Sequence, residues 1–392
     1  MSIVFKCLIK VQIISFFSLY WGMMGVGRLV KVLRVLKIGR FSLVHNKILQ
    51  KLVSRRTINI FYLIAIRFYA FTLLITLVGA CSPKEKILSD NGNNGIYHHI
   101  ESFKSELVEN RPVDIWLPNG YESNTKQRYS VMYLHDGQFM FDNASSPMNK
   151  GILMKFYALY AKLRYGTGLF WDLDKIATQL IEDERIDPVI FVSVWNLPGT
   201  KRRAEYMPQK MITKQIATQF LHRESDIRID KITSDKYLGF LVRELKPYVD
   251  QKYRTKSDQK NTFIMGSSMG GMISAYAISE YPGIFGGAAC LSTHWTLGGD
   301  AVTTWYEDHW PSAGNHLLYF DRGTESYDAN YGRGQARMDS IMEENGFVKD
   351  LDWKTLVFEG ESHTMTAWKN RVHIPLEFLL GQKKVNKPSL PL

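Results

Sequence analysis

Cysteine is scarce in this sequence. Three occur in 392 residues, Cys7, Cys81 and Cys290, with no repeated spacing and no CxxC pair. That excludes a disulfide framework and argues against zinc-ribbon and haem-attachment chemistry. Acidic residues are missing altogether from residues 1–80, which carry 12 Lys and Arg. The other 312 residues carry 37 basic and 38 acidic side chains. The formal charge of +11 is therefore a property of the N-terminal segment. The rest is close to neutral, which leaves no electrostatic case for a nucleic-acid partner. With 45% hydrophobic and 22% charged residues, the composition is globular, neither disordered nor collagen-like.

Residues 57–80 read TINIFYLIAIRFYAFTLLITLVGA. Arg55, Arg56 and Arg67 precede an apolar run, and Gly79 and Ala80 put two small residues directly before Cys81. That is the layout of an export signal. Ending in a cysteine, Val78-Gly79-Ala80-Cys81 resembles the lipobox of bacterial lipoproteins. The resemblance implies cleavage before Cys81 and lipidation of its thiol, since two or more acyl chains anchor stably. The alternative is a plain transmembrane helix over 59–80. Both place the body of the chain outside the cytoplasm, in the cell envelope, held to the membrane by a lipid anchor or an N-terminal helix. Residues 1–54 add an apolar stretch and a basic periodic run, Arg28, Lys31, Arg34, Lys37 and Arg40. That run suits an amphipathic helix on an anionic surface. The alternative is that translation starts downstream of it.

The body alternates strand-like and helix-like stretches. Strands are expected at 102–108, 113–117, 129–134, 189–194, 262–265, 287–291, 316–320 and 353–358, from short apolar runs bounded by turn residues. Helices are expected at 173–184, 233–249, 272–281, 334–346 and 364–380. The fold class is α/β: a sandwich of about eight mostly parallel strands with helices on both faces, after an initial antiparallel pair. The aromatic and Lys-rich segment 148–168 reads as a helical insertion.

Gly266-Ser267-Ser268-Met269-Gly270 matches the G-x-S-x-G nucleophile elbow, with a strand before it and a helix after it. A sharp strand-to-helix turn exposes the Ser268 hydroxyl, and the glycines keep side chains out of that turn. The base is expected at His363, in the loop between the last strand and the last helix. His373 falls inside a helix, His316 begins a strand, and His309 has no motif around it. Three carboxylates compete for the acid on the loop 321–328: Asp328 first, then Glu325, then Asp321. The two not used are expected to pair with Arg322, Arg333 or solvent. The oxyanion hole needs two backbone N–H groups. One is expected from Met269, the other from the loop His135-Asp136-Gly137-Gln138, with Gln138 the first donor and Gly137 allowing close approach. His135-Asp136 has no further ligands at metal spacing, so no metal is expected.

Assembled, these residues resemble the putative-esterase family of α/β-hydrolases, which includes enterochelin, feruloyl and acetyl-xylan esterases. The segment 131–138 with Phe141-Asp142, the elbow 266–271, and Gly360-Glu361-Ser362-His363 with Trp368 carry the likeness. Arg203-Ala204-Glu205-Tyr206-Met207-Pro208 is similar to the family's R-x-x-E-Y-x-P segment, though one residue shorter. The resemblance implies an α/β-hydrolase fold and ester cleavage through an acyl-serine, without a metal or organic cofactor. It also implies a substrate pocket built with Asp136, Arg203, Glu205 and Tyr206, with His294 and Trp295 after the sixth strand. Domain boundaries follow: a basic leader and export signal over 1–80, a linker over 81–100, the esterase domain over 101–383 and a tail over 384–392. The expected substrates are small-molecule or oligosaccharide esters, acetyl or feruloyl esters of carbohydrates first. The alternatives are a ferric-siderophore ester, or a non-catalytic surface-tethered binding protein on the same fold. A labelled fatty acid fed to expressing cells is expected to mark the chain and to spare Cys81→Ser. Label surviving that substitution removes the lipoprotein reading.

Overall fold

The computed structural model describes residues 85–89, 94–141, 159–160, 163, 168–212, 229–296 and 300–381. All of them belong to the second of two units into which the chain divides, Pro83–Leu392. The leader 1–80, the lipidation residue Cys81, most of the insertion 148–168 and the tail lie outside the described residues.

Nine strands form one sheet among the described residues: β1 Glu85–Ser89, β2 Ile96–Phe103, β3 Arg111–Leu117, β4 Ser130–Leu134, β5 Val189–Val194, β6 Thr262–Ser267, β7 Gly287–Leu291, β8 Leu317–Gly323 and β9 Trp353–Phe358. Their order is β1-β2-β3-β5-β4-β6-β7-β8-β9. β1, β2, β3 and β5 are joined antiparallel, and β5, β4, β6, β7, β8 and β9 run parallel. This is the expected α/β class. Two strands fall where a linker and a later strand were expected. β2 starts at Ile96, not near 102, and β1 occupies 85–89, so structure begins inside 81–100. The chain leaves the sheet after Phe103 because the Ser105 hydroxyl accepts the N–H groups of Leu107 and Val108, each at 3.0 Å, and turns the backbone.

The central strands read as continuous apolar runs because both faces are covered. Val131 and Tyr133 of β4 enter one core, Met132 and Leu134 the other. The same alternation splits Ile264 from Phe263 and Met265 in β6, as the two-residue period of a strand requires. Further helices complete the layers: α1 Leu173–Glu182, α2 Thr200–Tyr206, α3 Ser234–Phe240, α4 Lys246–Lys252, α5 Met269–Glu280, α6 Asp300–His309, α7 Gly332–Glu344, α8 Met365–Arg371 and α9 His373–Leu380. Leu173 and Leu180 of α1, Trp368 of α8 and Leu376 of α9 bury on one face; Tyr237, Ile273, Val302 and Met338 from α3, α5, α6 and α7 bury on the other. The helix expected at 364–380 is broken in two. Pro375 has no N–H to give the carbonyl of Arg371, so continuous helix bonding stops there. The helix expected at 233–249 carries a π turn at Leu241–Leu245 ahead of Pro247, for the same reason.

One buried ion pair fastens α2 to the sheet. Arg111 at the start of β3 meets both oxygens of Glu205 at 2.7 and 2.6 Å, and its guanidinium lies over the Tyr237 and Phe240 rings. Both side chains are almost fully buried. Removing one partner of such a pair leaves an uncompensated charge. Arg111→Met is therefore expected to lower stability by about 3–5 kcal/mol, read as a shifted urea midpoint. Arg111→Met with Glu205→Leu is expected to recover most of that loss. Equal stability of the single variant and the parent overturns the assignment.

Candidate active site

The carboxyl ends of β4, β6, β7, β8 and β9 supply the site. β6 runs directly into α5 through Ser268, whose backbone sits at φ 58, ψ −121. A residue with a side chain reaches that region only under strain. Its N–H donates to the Leu291 carbonyl at 2.9 Å, and its carbonyl accepts from Met272 at 3.2 Å and His294 at 3.3 Å. The turn needs glycine at Gly266, where a Cβ would lie 2.6 Å from the Gly270 carbonyl carbon.

His363 lies between β9 and α8, next to Thr364, whose hydroxyl caps α8 by accepting the Ala367 N–H at 3.3 Å. Its Nδ1 is 2.5 Å from Asp328 Oδ1. Asp328 sits in a short 3-10 turn, Ser326–Asn330, after β8, and is fully buried. Its second oxygen accepts from the Ser292 hydroxyl at 2.5 Å and the Gly323 N–H at 2.6 Å. Burial alone would raise the Asp328 pKa. The bonds from His363, Ser292 and Gly323 outweigh it and hold the carboxyl below its ordinary value. Three aromatic rings stand edge-on around the His363 imidazole: Trp368 at 4.8 Å, Tyr327 at 5.6 Å and Tyr331 at 5.7 Å.

The competing carboxylates have other places. Asp321 lies within β8 and meets Arg371 through both oxygens, at 3.0 and 3.1 Å. Ser292 N–H and Tyr319 O–H also donate to it, each at 3.0 Å. Its partner is Arg371, not the expected Arg322 or Arg333. Glu325 is exposed, and its N–H donates to the Glu361 carbonyl.

Opposite lies the loop after β4. Asp136 adopts a left-handed backbone, and Gly137–Phe139 form one 3-10 turn. A Cβ on Gly137 would lie 2.5 Å from the Ser193 carbonyl carbon of β5, so only glycine lets the loop pass that close. Met269 opens α5 and Gln138 sits in the 3-10 turn, and the first N–H groups of such turns have no partner inside them. The Gln138 side chain accepts the Asn196 N–H at 3.1 Å. Asp136 meets Arg202 Nε at 2.6 Å and Nη2 at 2.7 Å and also accepts from the Asn196 amide. Burial pushes its pKa up, but the Arg202 charge and these bonds prevail and lower it.

A cleft of about 580 Å³ opens between the two sides. Ser268 and His363 line it. Trp171, Phe139, Met140, Met365 and Trp368 give it apolar walls, and Asp136, Arg202 and Asn196 a polar end. Comparison with known proteins decides the family. A family model described as Putative esterase matches residues 105–370, about two thirds of the chain. The chain belongs to the Putative esterase family. The endo-1,4-beta-xylanase/feruloyl esterase of Xylanibacter ruminicola is 25% identical over 203 residues, 51% of this chain and 22% of that protein. The chain thus spans about a fifth of that relative's length. Among solved structures, the BES protein from Bacillus cereus is similar with a TM-score of 0.51 at 14% identity, over 76% of this chain and 99% of that one. The enterobactin esterase of Shigella flexneri, solved in the presence of enterobactin, has a TM-score of 0.49 at 17% identity, over 76% of this chain and 60% of that one.

In this esterase-family chain the segment after β5 is registered one residue earlier than expected. Arg202, not Arg203, meets Asp136 and lines the cleft. Arg202 and Tyr206 are four apart on α2 and share a face, with the guanidinium 5.0 Å from the ring; Arg203 is rotated off it. Read from Arg202, the segment is R-x-x-E-Y-x-P without a deletion. Glu205 and Tyr206 act behind the cleft wall. Glu205 pairs with Arg111, and the buried Tyr206 hydroxyl accepts the Asp136 N–H at 3.1 Å. Trp295 is core too, its indole N–H donating to Gln335 at 2.9 Å. His294 meets the Tyr331 hydroxyl at 2.7 Å. Arg202, Asn196, Ser292, Arg371 and Tyr331 escaped the sequence reading. Only Arg202 had a local signal there.

Asp328 links the site to pH. With its pKa depressed on folding, it contributes stability that is complete above the ordinary carboxylate value of about 4 and is lost as pH falls through the folded value. Asp328→Asn is therefore expected to lessen the fall of unfolding free energy between about pH 5 and pH 2, measured by denaturant midpoints across that range. An unchanged slope overturns the assignment.

Proposed function

We propose that the chain is a serine esterase that cleaves carboxylic esters through an acyl-serine intermediate. The observation that carries this reading is that the strained Ser268 and His363 line one cleft while the buried Asp328 holds His363 from behind. In the proposed reaction His363 takes the proton of Ser268 as its oxygen attacks the ester carbonyl. Asp328 orients the imidazole and stabilises its cation. The N–H groups of Met269 and Gln138 face the developing oxyanion. His363 then protonates the leaving alcohol, and water repeats the sequence on the acyl-enzyme.

For substrate we favour an acylated carbohydrate, of the acetyl or feruloyl type. The apolar walls of Trp171, Phe139 and Met365 suit an acyl group with a planar or small apolar body. The charged groups at the polar end neutralise each other, since Asp136 and Arg202 pair. A cleft so balanced offers little to a highly anionic siderophore. The leaving alcohol departs on the His363 side. There the Tyr327 ring is 66% exposed, a flat apolar surface of the kind a sugar ring stacks on. From the export-signal pattern that ends at Cys81, we also propose that the esterase lies in the cell envelope, tethered through that cysteine.

Ser268→Ala is expected to lose several orders of magnitude in turnover on p-nitrophenyl acetate, and a fluorophosphonate probe is expected to label the parent and not the variant. A panel of acetylated and feruloylated sugars beside a catecholate siderophore ester then sets the substrate class. Full activity in Ser268→Ala overturns the mechanism, and preference for the siderophore ester overturns the substrate reading.

A further inference from the structure

The chain enters the sheet at the end that carries the active site. Glu85, the first residue of β1, pairs with Ile100 of β2, Ile100 with Val113 of β3, and Val113 with Val194, the last residue of β5. One residue back, Ser193 is level with Leu134 of β4, and Leu134 with Met265 of β6. Glu85 therefore stands level with the carboxyl ends of β4 and β6, where the loop 135–138 and Ser268 lie. Cys81 is four residues before Glu85, and four residues reach at most about 14 Å. The opposite end of the sheet is further off, since a six-residue strand such as β5 rises about 20 Å. A lipid on Cys81 therefore holds the active-site end of the sheet near the bilayer and cannot draw the opposite end to it.

Between β4 and α1 the chain leaves and rejoins the cleft wall. Trp171 N–H donates to the Phe139 carbonyl at 2.9 Å and Leu173 N–H to the Met140 carbonyl at 3.0 Å, and Phe139, Met140 and Trp171 line the cleft. On this stretch Leu159, Tyr160 and Leu163 are helical, and they are 52%, 54% and 78% exposed. Positions 159, 160 and 163 fall within one helical face about 100° wide. Residues 148–168 contain Lys150, Lys155, Lys162 and Arg164 and no Asp or Glu. Exposed apolar groups among uncompensated cations are the composition of a segment that lies in a lipid interface, and the charge selects an anionic surface.

We propose that the active-site end of the sheet rests on an anionic lipid bilayer, with Leu159, Tyr160 and Leu163 in its interface, and that the cleft takes esters displayed at the membrane surface; this rests on the acyl-serine reading and on the Cys81 tether above. The two observations are independent, since one comes from strand register and chain length and the other from an exposed helical face. They meet at the same end of the sheet. The substrate class narrows accordingly, to an acylated carbohydrate held in the bilayer by a lipid tail. Such an ester reaches the cleft by diffusing in the membrane plane, whereas a long soluble polysaccharide has to thread between the cleft and the bilayer.

The full chain, purified from bacterial membranes and reconstituted in phosphatidylglycerol vesicles, tests the placement. Leu163→Cys carries a bimane fluorophore in one sample. Lys260→Cys carries it in another, exposed just before β6 at the opposite end of the sheet. With a nitroxide on the lipid headgroups, the probe at 163 is expected to lose about half its emission or more and the probe at 260 less than about a tenth. A second measurement reads the chemistry. Turnover on an acetylated dodecyl glucoside held in the vesicles is divided by turnover on acetylated methyl glucoside in solution. Leu159→Glu with Leu163→Glu is expected to lower that ratio about tenfold, and phosphatidylcholine vesicles are expected to lower it in the parent. Equal quenching at the two positions, stronger quenching at 260, or an unchanged ratio in the double variant overturns the proposal and leaves the esterase reading standing. An equal ratio in both lipids overturns the anionic surface. A chain that takes no fatty-acid label overturns the tether and the proposal with it. A chain that takes no fluorophosphonate overturns the acyl-serine reading, and the membrane-borne substrate with it.

Discussion

A buried carboxylate organises this half of the molecule. Asp328 is fully enclosed, and a charge taken out of water persists only where donors replace its hydration. His363, Ser292 and Gly323 supply them. The Ser292 hydroxyl gives its proton to Asp328 and takes bonds from Trp368 Nε1 at 2.9 Å and Arg371 Nη2 at 2.7 Å. Arg371 in turn is engaged by Asp321. One connected network therefore joins β7, β8, the 3-10 turn and α8. The orientation of His363 is a property of that network and not of its own loop.

The opposite wall is built by a parallel device. The Asp136 backbone is left-handed and must be held there. Tyr206 accepts its N–H, Arg202 and Asn196 take its carboxylate, and Gly137 lets the loop lie against β5. Behind them His135 contacts Tyr237 at 2.9 Å. Burial drives the His135 pKa down to about 3, so the ring is a neutral packing and hydrogen-bonding group. α2 serves both ends, since Glu205 fastens it to β3 while Arg202 and Tyr206 face the loop. The rigid placement of the loop N–H groups therefore follows from an ion pair at the other end of the same helix contact.

Much of the fold was readable because its signals are local. Buried parallel strands are short apolar runs, and 189–194, 287–291 and 353–358 coincide with β5, β7 and β9. Errors gathered where tertiary context decides. β1 and β2 lie on the antiparallel edge, where a polar run pairs into the sheet through its backbone and leaves little pattern in the side chains. The π turn ahead of Pro247 and the break ahead of Pro375 show that an apolar helical period continues across a residue that cannot bond.

By itself the sequence determined the strand-to-helix turn at Ser268, the loop that carries His363 and a shortlist of three carboxylates beside it. Each is specified within a few residues by a strand end and the turn that follows. Only the tertiary structure decided which of the three meets His363, because that turns on which carboxylate Arg371 takes and which the Ser292 hydroxyl reaches. Those donors come from β7 and α8, far along the chain from 321–328. The shift from Arg203 to Arg202 has the same origin. Helical rotation places one of two adjacent arginines on the face where Asp136 waits, and composition cannot tell them apart. The His294–Tyr331 contact was likewise invisible, since its members lie 37 residues apart.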